Sequence, residues 1–163
     1  MQTALQPAIK TSVVACIIDS QSRILLTRRS IPPFFGQWVM PGGKIDHGES
    51  IASALQREVQ EEVGLQVEPA ELVDIYEHLA IGHKKDHYII LYYRARPLTL
   101  QLRINPAELS EAVWFEADHL PTLDVPPGCR QVLARLYPEV NWPRLQPPGD
   151  DADCEIPGLC PLP

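Results

Sequence analysis

Residues 56–64 read Gln56-Arg57-Glu58-Val59-Gln60-Glu61-Glu62-Val63-Gly64, with glutamates at i, i+3 and i+4 of a helical pattern. Like charges at that spacing face one another on a helix surface and repel. The helix is well bracketed: Ser50 is a good N-cap and Gly64 a good C-terminal stop, leaving about three to four turns between them. With Glu58 set at zero, Ile51 falls at about 20°, Leu55 at about 60°, Val59 at about 100° and Val63 at about 140°. These four mark the face predicted to be buried. Glu62 falls at about 40°, inside that face, whereas Glu61 and Arg57 lie at about 300° and about 260°.

An ionised carboxylate at the border of a core needs a partner. Arg57 can reach Glu61 at i+4 and accounts for one charge. The surplus on Glu58 and Glu62 calls for a hard cation, and carboxylates with water ligands suit Mg²⁺ or Mn²⁺. Such ions in turn suit phosphate oxygens.

The rest of the chain bounds this reading. Its 163 residues fit one ordinary domain with a sizeable core. The formal charge of −7 argues against a nucleic acid polymer or an anionic membrane as partner, because both draw on excess Lys and Arg. No stretch approaches 18 consecutive apolar residues and the first residues lack a signal-peptide pattern, so a cytoplasmic location is expected. Cys16, Cys129, Cys154 and Cys160 show no CxxC spacing. Free thiols are the expectation, with a Cys154–Cys160 disulfide open to an oxidised preparation.

Val13 to Ile18 is a continuous apolar run that predicts a central strand, and Arg23 to Arg28 the returning strand. A loop at Ile31 to Gln37 leads to a short strand at Trp38-Val39-Met40, stopped by Pro41-Gly42-Gly43. Leu72 to Ile81 and His87 to Arg96 form a hairpin around Gly82-His83-Lys84-Lys85-Asp86. A further strand is expected at Ala112 to Phe115 and a helix at Gly128 to Leu136. This order predicts a mixed α/β or α+β domain with helices packed on sheet, spanning residues 1–137. From Pro138 seven of the 17 prolines and an acidic run follow, so residues 138–163 read as an extended or disordered tail. That tail can also be read as a partner-binding segment.

Read outward from the helix, the pattern is Gly43, five residues, Glu49, seven residues, then Arg57-Glu58-Val59-Gln60-Glu61-Glu62-Val63-Gly64-Leu65. This resembles the Nudix box, G-x5-E-x7-R-E-U-x-E-E-x-G-U with U apolar, at every defined position. "RILLTRRSIPPFFGQWVMPGGK", "HYIILYYRARP" and "SEAVWFEADHLP" extend the resemblance over about Ser12 to Leu136. It implies a mixed β-sheet sandwiched between α-helices and Mg²⁺-dependent hydrolysis of a nucleoside diphosphate linked to another moiety. Homodimers are common in the family.

By the resemblance, Glu58, Glu61 and Glu62 are metal ligands, with the Gly42 carbonyl a further one, and Arg57 orients the carboxylates. Gly43, Glu49 and Gly64 are motif positions with structural or metal-supporting roles. The general base varies within the family, and Glu58 is the first choice here, ahead of Glu108 or Glu111. Arginine forks match phosphate geometry, so at least one of Arg28 and Arg29 is assigned to substrate. Strand alternation points them to opposite faces and makes the other structural. Lys84 and Lys85 form either a solvated hairpin tip or a contact to a terminal phosphate. Trp38 either stacks on a base or packs.

"PPFFGQW", "HYIILYYRARP" and "SEAVWF" resemble the ADP-ribose pyrophosphatase-like group of short members, which implies an ADP-ribose-like, nucleotide-derived small-molecule substrate. "ILLTRRS" and "PGGKIDHGES" resemble MutT-like (d)NTP pyrophosphohydrolases, including those that act on 8-oxo-dGTP. A regulatory module that kept the fold and lost catalysis predicts damaged carboxylates, and none is damaged.

Overall fold

The computed structural model describes residues 8–79 and 87–143. The strands are β1 (Lys10–Ile17), β2 (Ile24–Arg29), β3 (Trp38–Val39), β4 (Gly42–Lys44), β5 (Val67–Leu79), β6 (His87–Pro97) and β7 (Leu109–Phe115). Among the described residues two helices accompany them, α1 (Ile51–Val63) and α2 (Pro127–Leu136), with a 3₁₀ turn at Ala117–His119. One sheet has the order β4-β1-β6-β5 and the other β3-β2-β7. β1 and β6 run parallel, with Val13 opposite Leu91, and the other pairings are antiparallel.

The apolar runs are explained by burial on both sides. Val13, Ala15 and Ile17 point into one core with Ala54, Leu55, Val59 and Val63 of α1. Between them Cys16 points into a second core with Val132 and Leu133 of α2. β2 is divided likewise, Leu25 facing the first core and Ile24 and Leu26 the second. A strand covered on both faces reads as continuous rather than alternating hydrophobicity. The Val, Leu and Ile side chains among them each contribute about 1.5–3 kcal/mol on full burial.

α1 has the caps its sequence predicts. The Ser50 hydroxyl accepts from the Ser53 N–H at 3.1 Å, and Gly64 adopts φ 72° while its N–H donates to the Gln60 carbonyl. Ile51 departs from the expected stripe and is 37% exposed, whereas Ala54, outside that stripe, is fully buried. As the first residue of α1 it borders an open hollow beside Lys44 and Ile45, so the angular position of Ile51 alone does not bury it.

Two strand expectations are corrected. β3 ends before Pro41-Gly42-Gly43 as expected, but pairing resumes at once: Gly42 opens β4, which lies along β1 with Val14 opposite Gly42. The approach needs glycine, since a Cβ at Gly42 would stand 2.3 Å from the Val13 carbonyl oxygen. β2 does not return along β1. It shares the Ile18–Ile24 bridge with it and then pairs with β7 in the second sheet. The bend rests on Asp19, whose carboxylate accepts from the Gln21 and Arg23 N–H groups and from Arg23 Nε.

β5 starts at Val67, earlier than expected, because Pro69 is tolerated on this edge strand beside a bulge. The hairpin tip with Lys84 and Lys85 lies outside the described residues. After α2, Val140 and Trp142 pack against the second core, and the Trp142 indole donates to the Tyr137 carbonyl at 3.1 Å. Residues 144–163, with Cys154 and Cys160, also lie outside the described residues, whereas Cys16 and Cys129 are buried free thiols. Among the described residues no helix is long and apolar enough to cross a membrane.

Candidate active site

The four charged side chains of α1 meet very different surroundings. The Glu62 residue is 4% exposed, and the side chains of Glu58 and Glu61 are 16% and 60% exposed. Arg57 lies among the acids. Its Nε and Nη2 fork onto Glu49 at 2.8 and 2.9 Å, and its Nη1 meets Glu58 at 2.7 Å. Glu61, the partner expected from i+4 spacing, is the more distant contact at 3.5 Å. The fork wins because two parallel charge-assisted bonds outweigh one exposed pair.

That fork also fixes the loop before the helix. Glu49 accepts from the Asp46 N–H and Arg57 donates to the Lys44 carbonyl, so residues 44–49 are tied to α1. The Arg57 hydrogen bonds hold the Glu49 carboxyl below its ordinary range. Glu49 and Glu58 in turn hold the guanidinium charged.

The glycines bring backbone up to the other two acids. The Gly42 N–H donates to Glu62 Oε2 at 3.0 Å. It is therefore the N–H of Gly42 that meets the carboxylates. At Gly43 a Cβ would stand 2.4 Å from the Glu58 carboxyl, so a side chain there would displace that carboxylate. Burial pushes Glu62 up to about 7, helped by the charges of Glu58 and Glu108 and opposed by the Gly42 N–H and Arg29. Burial also raises Glu58, despite its bond to Arg57.

The carboxylates thus form an acidic recess whose charge the protein's own cations only partly offset. Among the described residues Glu62 has no ion pair. Oxygen donors with backbone at close range fit a hard divalent cation that keeps part of its water shell.

Charged groups outside α1 also act on these carboxylates. The charge of Glu108, before β7, acts on both Glu58 and Glu62. Its backbone carbonyl accepts from the Ser30 N–H at 2.8 Å. Glu111 is turned elsewhere, paired across the sheet with Arg28 at 3.0 Å and about half exposed. Arg28 also donates to the Gly36 carbonyl and lies over the Trp38 ring, which packs edge-on to Phe115. Arg29 bonds through Nε to the Pro33 carbonyl and lies within electrostatic reach of Glu62. The two arginines therefore engage different neighbours.

Asn105 was not singled out by the sequence reading, and its Nδ2 donates to Glu108 Oε1 at 3.2 Å. The Asn105-Pro106 dipeptide marks a turn, which is the signal available for it. The tightest group of metal-type side chains among the described residues is elsewhere, in the exposed Glu116, Asp118 and His119. An open hollow of about 560 Å³ beside Ile9, Lys10, Lys44 and Leu91 includes none of the box glutamates.

Comparison with known proteins agrees with the box. The NUDIX domain model matches residues 8–136. The chain is 29% identical to the m7GpppN-mRNA hydrolase NUDT17 of Danio rerio, over 94% of this chain and 58% of that protein. It is 30% identical to the ADP-ribose pyrophosphatase of Methanocaldococcus jannaschii, over 73% of this chain and 68% of that protein. The crystal structure of the MutT NUDIX hydrolase from Burkholderia pseudomallei superposes with a TM-score of 0.71 at 30% identity, covering 80% of this chain and 98% of that one. The chain spans between 33% and 58% of the length of the first curated relatives it matches. With the domain match running from β1 to the end of α2 and every defined position of the box in place, the chain belongs to the Nudix hydrolases, a family acting on phosphoric anhydride bonds.

Proposed function

We propose that this protein hydrolyses the pyrophosphate of a nucleoside diphosphate linked to a second moiety, with an ADP-ribose-like substrate favoured. The observation that carries the reading is Glu62, buried beside Glu58 and touched by the Gly42 N–H. Two crowded carboxylates without a full complement of protein cations suit a divalent cation, and Nudix enzymes generally use one. Glu58 and Glu62, with Glu61 at the exposed side, would hold Mg²⁺ or Mn²⁺. When bound, such an ion neutralises pyrophosphate oxygens and makes a water more acidic.

The protein's own groups divide the remaining work. Arg57 and Glu49 hold the Glu58 carboxylate and the preceding loop in place. Arg29 offers its free guanidinium nitrogens to a phosphate oxygen, whereas Arg28 is occupied by Glu111 and Gly36. Of the three proton acceptors expected, we favour Glu108. The Glu58 carboxylate is tied to the Arg57 guanidinium and that of Glu111 to Arg28, whereas Glu108 accepts from a neutral amide, that of Asn105. One phosphoanhydride P–O bond breaks, water supplies the oxygen of the new P–O bond, and its proton passes to Glu108.

The similarity to a protein named ADP-ribose pyrophosphatase, of which the chain covers 68%, supports the favoured substrate. The similarity to a MutT hydrolase structure supports a second reading, a (d)NTP pyrophosphohydrolase. Product analysis with Mg²⁺ over ADP-ribose, NADH, diadenosine polyphosphates, dNTPs and 8-oxo-dGTP separates them. AMP plus ribose phosphate from ADP-ribose is the expected result. Nucleoside monophosphate plus pyrophosphate from a dNTP establishes the second reading, and no cleavage at all overturns both.

A further inference from the structure

Asn105 stands where the end of α1 meets the turn before β7. Its N–H donates to the Glu62 carbonyl at 2.9 Å, after the Arg103 N–H has taken the Val63 carbonyl at 2.8 Å. These bonds occupy carbonyls that the end of a helix leaves without an intrahelical donor, and they fix residues 103–105 against the helix that carries the box. Asn105 then closes the turn. Its Oδ1 accepts from the Ala107 N–H, and its carbonyl accepts from the N–H groups of Glu108 and Leu109.

Resting on the reading of Glu108 given above, we propose that Asn105 is a positioning residue whose side-chain amide holds the Glu108 carboxylate toward Glu58 and Glu62. The donor is Nδ2, 3.2 Å from Glu108 Oε1. From the other side the Ser30 N–H pins the Glu108 carbonyl. Glu108 is thus fixed at its backbone by Ser30, the residue after β2, and at its carboxylate by a residue bonded to Glu62.

The choice of an amide has a physical reason. Three carboxylates in one recess repel, and an untethered Glu108 gains by swinging into water. A lysine or arginine in place of Asn105 would hold it, yet would also cancel the charge that attracts a cation or a proton. A neutral N–H donor tethers the carboxylate and leaves its charge intact.

The turn role and the tether role separate by substitution. Asn105→Ser keeps a short acceptor for the Ala107 N–H and every backbone bond, but cannot reach Glu108. Four proteins are compared: wild type, Asn105→Ser, Glu108→Gln and the double variant. Readouts are kcat and KM on the cleaved substrate of the panel, thermal midpoint, and Mn²⁺ affinity of the nucleotide-free protein by electron paramagnetic resonance.

Asn105→Ser is expected to lower kcat by about 10- to 100-fold with KM and midpoint near wild type, and to weaken Mn²⁺ binding. Added to Glu108→Gln it should change neither kcat nor Mn²⁺ affinity further, because the group it acts through is already gone. Wild-type kcat and Mn²⁺ affinity in Asn105→Ser, additive losses in the double variant, or a loss confined to midpoint and KM each overturn the inference. A wild-type-like Glu108→Gln in a protein that binds Mn²⁺ sinks the assignment of Glu108 and this inference with it, and leaves the metal-dependent reading standing. A wild-type protein that binds no Mn²⁺ sinks the metal-dependent reading, and this inference with it.

Discussion

The Gly42 N–H and Glu62 Oε2 are joined by a 3.0 Å hydrogen bond, so the residue that opens β4 is bonded to one near the end of α1. The loop–helix–loop is closed on itself by this contact and by the Arg57–Glu49 fork. The adjacent glycines should therefore fail in different ways. An alanine Cβ at Gly42 meets backbone, 2.3 Å from the Val13 oxygen and 2.7 Å from the Val14 Cα. Gly42→Ala is expected to cost at least about 1–3 kcal/mol of stability, the usual price of overpacking. At Gly43 the Cβ meets the end of the flexible Glu58 side chain instead. Gly43→Ala should keep its urea midpoint near wild type while Mn²⁺ affinity falls by about 10-fold or more. Equal loss of stability in the two variants would contradict the distinction.

The raised carboxyl of Glu62 makes stability depend on pH. In the unfolded chain it titrates at its ordinary 4.5, and in the folded protein burial pushes it up to about 7. Below the lower value both states are protonated and nothing is lost. Between the two, the folded state keeps a proton that the unfolded state has released, so stability falls as pH rises. Above the upper value both are ionised, and the full loss is about 3 kcal/mol. Glu62→Gln keeps an oxygen for the Gly42 N–H and removes the charge. In EDTA, urea unfolding should show it matching wild type near pH 4.5 and exceeding it by a few kcal/mol at pH 8, with hydrolysis abolished. A gap that does not widen with pH, or retained turnover, refutes the assignment.

How much of this was legible follows from which residues act within one element. The box helix, its caps and the burial of Glu62 are periodic properties of one segment, so counting at 100° per residue found them. Ile51 escaped because burial at a helix end depends on what packs beside it. β4 escaped because Gly42 and Gly43 read as a break, and their value as a close-packed strand is visible only against Val13 and Val14. The choice between Glu108 and Glu111 was also beyond the sequence. They are three residues apart on the chain, yet the charge of Glu108 acts on Glu58 and Glu62 while Glu111 is held by Arg28, its partner in the register of β2 and β7.

Arg57 should not tolerate lysine. Its guanidinium serves Glu49, Glu58 and the Lys44 carbonyl from three nitrogens in one plane. An ammonium keeps the charge but cannot reproduce the fork. Arg57→Lys is expected to lose about 10- to 100-fold in kcat or metal affinity. Helix content by circular dichroism should be unchanged, because α1 remains capped at Ser50 and Gly64. Wild-type kinetics in this variant would mean that charge alone suffices.

Glu108 and Glu111 offer the sharpest contrast. Glu111 forms a surface pair with Arg28, both side chains nearly half exposed, and such pairs are worth about 0–1 kcal/mol. Glu111→Gln should shift stability by no more than that and leave kcat within a few-fold. Glu108→Gln removes the carboxylate that acts on both Glu58 and Glu62. General-base catalysis contributes about 10²- to 10⁴-fold, so its kcat should fall by at least about 100-fold with KM little changed. Steady-state kinetics of the two variants on one substrate decide the matter. The reverse ranking would return the proton to Glu111 and require the Arg28 pair to open during turnover, whereas equal and small effects would leave Glu58 as the acceptor.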